Sequence, residues 1–77
     1  MIGILVRDRY KIWSVKYKDI DNSDKQLPLI SEDVEYLLEL ERNFDNLDSR
    51  IDVNPEVEFF IVENKKMSGI VKYAKLM

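Results

Sequence analysis

The chain has 77 residues and a formal net charge of −3, with twelve basic side chains against fifteen acidic ones and neither histidine nor cysteine. That composition excludes disulfide staples and the usual zinc ligands, and it offers catalysis no imidazole or thiol, so neither an enzyme nor a cofactor or metal is expected. A hydrophobic content of 45% with only two glycines and two prolines points to a folded chain, and the length fits one small domain spanning residues 1–77. A chain of this size buries only about 60% of its unfolded surface, so a partner or a second copy is the remaining route to added stability.

Taken in order, Ile2 to Val6 is a short apolar run with no basic residue before it, too short for the core of a secretory leader. No stretch approaches the ~18 apolar residues of a membrane span, so the expected location is cytoplasmic with no membrane contact. Arg7, Asp8 and Arg9 predict a turn. From Lys11 to Lys18, Trp13, Val15 and Tyr17 alternate with Ile12, Ser14 and Lys16, the period of a half-buried strand. Residues 19–28 collect Asp, Asn, Ser, Lys and Gln before a closing proline and are expected to form a loop.

Ser31 is the expected helix N-cap, with Glu32, Asp33 and Glu35 placed where the helix dipole favours negative charge. Leu37, Leu40, Phe44, Leu47 and Ile51 then recur at steps of three and four and predict an apolar seam along a helix reaching Asp52. Asn54 and Pro55 stop it. Val57 to Glu63 carries the strand-forming run Phe59, Phe60, Ile61 and Val62; Asn64 to Gly69 holds a turn, and Gly69 to Leu76 completes a hairpin. The predicted fold is α+β in the order ββαββ, a four-stranded, mostly antiparallel sheet with the helix across one face and Trp13, Val15, Val57 and Phe59 turned inward. Phe60 and Val62 then fall on the opposite, uncovered face, which either meets an apolar partner or a second copy or is covered by a long loop such as residues 19–28.

Charge separates the chain into zones. Residues 1–20 are net basic, through Arg7, Arg9, Lys11, Lys16 and Lys18, whereas residues 21–54 hold ten carboxylates against three basic groups. On a helical projection Glu41, Asp45, Asp48 and Asp52 share one stripe with Val34 and Leu38. This mixed acidic and apolar face suits docking to a basic site on another protein, including one that handles nucleic acid. The expected function is therefore a non-catalytic protein-interaction module, in its sharper form a small inhibitor or adaptor of the kind made by phages and mobile elements, an extension resting on size and charge alone.

Two other readings stand beside it. The first hairpin places Arg7, Arg9, Tyr10, Lys11, Lys16, Tyr17 and Lys18 together, the combination of cations and rings that neutralises phosphates and stacks bases, which would make the chain a nucleic-acid-binding subunit. Alternation turns Trp13 and Tyr17 inward, however, and the cations are equally placed to pair with the chain's own acidic helix. The other is a structural homodimer formed through the open sheet face. A cation loop at residues 19–24 lacks the glycine and terminal glutamate of an EF-hand.

Overall fold

The computed structural model describes residues 1–46 and 54–77. Five strands and one helix follow in the order β1 (Ile2–Arg7), β2 (Trp13–Lys18), β3 (Asp24–Pro28), α1 (Val34–Asp45), β4 (Glu56–Asn64) and β5 (Met67–Leu76). The class is α+β, with one sheet of order β3-β2-β1-β4-β5 in which every neighbour is antiparallel.

The expected four strands are thus corrected to five, because the polar segment after β2 pairs rather than loops. Asp19 and Asn22 close the turn, Asn22 taking a left-handed φ of 65° that asparagine tolerates, and Val15 then faces Leu27 while Lys16 faces Gln26. Asp24, Lys25 and Gln26 are exposed and only Leu27 is buried, so the segment has the polar composition of an outer strand that needs one apolar anchor. The helix begins later than expected. Asp33, not Ser31, is the N-cap, its carboxylate accepting from the Tyr36 amide at 3.0 Å, while the Ser31 hydroxyl accepts from the Asp33 amide. The described helix closes at Asn46, and the expected continuation through Leu47, Asp48, Ile51 and Asp52 lies outside the described residues.

The sheet curls until its two outer strands meet. Leu29, just past β3, bridges Val71 in parallel, and the Ile30 amide donates to the Val71 carbonyl at 2.8 Å. Beyond that bridge the edge of β5 is held by the helix instead: the Tyr36 hydroxyl donates to the Ala74 carbonyl at 2.9 Å and accepts from the Ala74 amide at 2.6 Å. One phenol therefore satisfies both backbone groups of a buried residue. A three-strand meander, a helix and a final hairpin, with β1 between β2 and β4 and the end of β3 running parallel to β5, is the strand order of an OB-type Greek-key barrel.

Inside the curl lie Leu5, Val15, Leu27, Leu29, Val57, Phe59, Val71 and Ala74, and Leu40 of the helix completes the cluster with Leu37 and Phe44 half-buried beside it. Trp13, Val15, Val57 and Phe59 point inward as predicted. Gly3 is the tight point. A Cβ there would come within 2.6 Å of the Lys16 carbonyl and 2.8 Å of the Phe59 ring, so β1 can cross this close to β2 and Phe59 only without a side chain.

Candidate functional site

The described part of the acidic helix stripe, Glu41 and Asp45, is bound up with the rest of the molecule. Arg7, at the end of β1, donates to Asp45 at 2.9 Å and lies over the Phe44 ring at 4.6 Å and the Trp13 ring at 5.3 Å. Trp13 and Phe44 meet edge to face at 5.1 Å, so the ion pair closes over an aromatic contact between sheet and helix. Lys11 approaches Glu41 at 3.9 Å from the β1–β2 loop. That loop is itself fixed by Asp8, whose carboxylate accepts from the Tyr10 and Ile12 amides at 2.8 and 2.9 Å.

Of the stripe residues singled out in the sequence, Glu41 and Asp45 thus face the chain's own cations. Val34 and Leu38 are exposed beside them. Asp48 and Asp52 lie outside the described residues.

Phe60 and Val62 are treated differently by the structure. Phe60 is 74% exposed on the outer side of β4, whereas Val62 is half-buried and stands opposite buried Ile70. A register shift between Phe59 and Ile61 bends the hairpin at this point, so of the two residues expected on the open face Phe60 is exposed there and Val62 is half-buried. The basic hairpin is likewise divided. Arg7 and Lys11 turn to the helix and Arg9 lies over Tyr10 at 4.9 Å, while Tyr17 packs on Phe59 at 5.3 Å and burial, with Asp19 nearby, raises its phenol pKa above 10.0. Lys16 and Lys18 instead point outward from β2.

Those two lysines border an open groove of about 670 Å³ on the outer face of β1, β2 and β3. Ile2 and Ile4, 59% and 42% exposed, make its apolar floor. Lys16, Lys18, Lys25 and Gln26 rise on one side, and Glu56 rises on the other. Lys18 is paired with Asp24 at 2.9 Å, whereas among the described residues neither Lys16 nor Glu56 has an opposite charge within 4.0 Å.

Sequence reasoning found Lys16 and Lys18 but missed Lys25, Ile2, Ile4 and Glu56. Their signal was present: Gly3 and Leu5 alternate with Ile2 and Ile4, and a strand with apolar residues on both parities has two faces to cover.

Among the described residues no group of three or more acidic side chains is arranged to hold a metal ion. In the residue 19–24 turn, Asp21 is instead occupied by the Ser23 amide and hydroxyl, which hold its carboxyl below the ordinary value. Among the described residues no helix is long and apolar enough to cross a membrane. The chain matches no protein-family model, no curated protein and no solved structure, so the likeness to OB-type barrels is one of strand order.

Proposed function

We propose that the chain is a non-catalytic interaction module whose working surface is the β1–β3 groove, and that it binds protein. The observation that carries this reading is the exposure of Ile2 and Ile4 at the floor of a groove whose rim bears both signs of charge. An apolar centre within a polar rim is the anatomy of a protein interface; a nucleic-acid track would be uniformly basic and carry free aromatic faces. The acidic helix face is the weaker surface, since Glu41 and Asp45 already have partners within the chain.

The direct test is affinity capture from the source cells with the unmodified chain, Ile4→Lys and Leu38→Lys. Loss of the captured protein with Ile4→Lys and retention with Leu38→Lys supports the groove. The opposite pattern returns the function to the helix.

A second reading draws on a specific observation of its own. Lys16 and Lys18 stand on the outer β2–β3 face and Lys25 lines the same groove, on the surface that OB-type barrels use to bind oligonucleotides. Binding of short single strands that weakens steeply with salt would establish it.

A further inference from the structure

We infer that the occupant of the outer sheet face is a second copy of this chain, related by a two-fold axis parallel to β1; this rests on the groove being the working surface and names its partner. The argument begins with the order of side chains across the face. Ile4 lies between Glu56 of β4 and Lys16 of β2 in the strand registers. Two residues along, Ile2 lies beside Glu58, and Lys18 follows Lys16 on the same side of β2. Each row therefore runs acidic, apolar, basic.

All six side chains are exposed, and the alternate residues Gly3, Leu5, Val15 and Val57 are buried, so the rows face outward together. Beyond them the pattern becomes apolar at both edges. Phe60 follows Glu58 on β4, and Ile20 follows Lys18 in the turn after β2, fully exposed.

This pattern is complementary to itself in one orientation. A two-fold axis lying between two such faces and parallel to β1 lays Ile4 on Ile4 and Ile2 on Ile2, Glu56 on Lys16 of the second copy, and Lys16 on Glu56 of the second copy. The same operation carries Glu58 over Lys18 and Phe60 over Ile20. An axis running across the strands would superpose β4 on β4 and set Glu56 and Glu58 against the same acidic strand of the second copy, which like-charge repulsion opposes. Charge order selects the first arrangement.

Lys16 and Glu56 are the decisive pair, because neither has a partner of opposite charge within 4.0 Å among the described residues. A specific interface takes about 800 Å² from each partner, roughly one eighth of the 6239 Å² this chain exposes. A small chain without disulfides gains stability from such burial.

The test is sedimentation equilibrium on the full chain across a wide concentration range, with Lys16→Glu, Glu56→Lys and an equimolar mixture of the two. The unmodified chain is expected to dimerise, and each single reversal to weaken dimerisation by about tenfold or more, because it introduces two like-charge contacts. The mixture is expected to recover association. In the mixed dimer the glutamate placed by Lys16→Glu meets the lysine placed by Glu56→Lys, and the native Glu56 and Lys16 form the second contact. Circular dichroism confirms that each variant is folded.

A monomeric unmodified chain overturns the inference, as does a mixture that associates no better than its components. Capture of a different protein in the Ile4→Lys experiment is a separate readout: if it depends on Ile4 while the chain is monomeric, the interaction module stands with a different partner.

Discussion

The helix face and the sheet face both carry charged side chains and use them in opposite ways. On the helix, Asp45 and Glu41 meet Arg7 and Lys11 from the strand and loop beside them, and the Arg7 guanidinium also covers the Trp13–Phe44 contact. On the sheet, Lys16 and Glu56 stand on strands separated by β1, with Ile4 between them, and find no opposite charge within reach among the described residues. A cluster of charge in the sequence therefore has two physical outcomes. Charge paired within the chain holds a helix in place, and charge left in ordered rows beside exposed isoleucines is open to another molecule.

The comparison breaks most readily at its buried end. Leu40 is 3% exposed and closes the core from the helix, so Leu40→Ala should cost ~2–5 kcal/mol by urea denaturation at protein concentrations low enough to keep the chain monomeric, against roughly 0.5 kcal/mol or less for Ile4→Ala on the open sheet face. Similar losses for both would mean that Ile4 is part of the packed interior. Next in size is Gly3→Ala, where the added Cβ meets the Lys16 carbonyl at 2.6 Å and must displace backbone, a cost of about 1–3 kcal/mol in the same assay.

Tyr36→Phe sharpens the structural role of the helix. Removing the hydroxyl leaves the Ala74 amide and carbonyl without their partner, a cost of about 1–3 kcal/mol. Burial raises the Tyr36 pKa above 10.0, with the Ala74 hydrogen bond opposing the rise and Tyr73 adding to it. A raised pKa in the folded state favours the neutral phenol, so this contribution is fully present below the unfolded value near 10.0 and is lost as pH rises through the folded value. Stability should therefore fall more steeply as pH rises from 10.0 toward the raised folded value in the unmodified chain than in Tyr36→Phe, as read by urea denaturation at a series of alkaline pH values.

The smallest effect belongs to Asp45→Asn, which removes a half-exposed ion pair and should cost about 0–1 kcal/mol, fading as salt is added. No loss at low salt would show that Arg7 is held by the two rings alone.

Much of the fold was legible in the sequence because alternation and helical spacing are set by burial. Trp13, Val15, Val57 and Phe59 announce their inward face, and Leu37, Leu40 and Phe44 announce theirs. What escaped was β3, whose exposed Asp24, Lys25 and Gln26 have the composition of a loop and become a strand only because Leu27 can pair against Val15. The curl escaped for the same reason: it depends on contacts between residues far apart, such as Leu29 with Val71 and Tyr36 with Ala74. The charges of the candidate site were visible, but which of them cancel is decided by tertiary placement. Glu41 and Asp45 look like a free stripe until the first hairpin is folded beside them.

The most direct test of the sheet face as the working surface is a side-by-side measurement of self-association for Ile4→Lys and Leu38→Lys by sedimentation equilibrium. Both place a lysine at an exposed apolar position, one on the sheet and one on the helix. The account predicts that Ile4→Lys weakens association by about tenfold or more while Leu38→Lys leaves it unchanged. Association that survives Ile4→Lys and is lost with Leu38→Lys would contradict it.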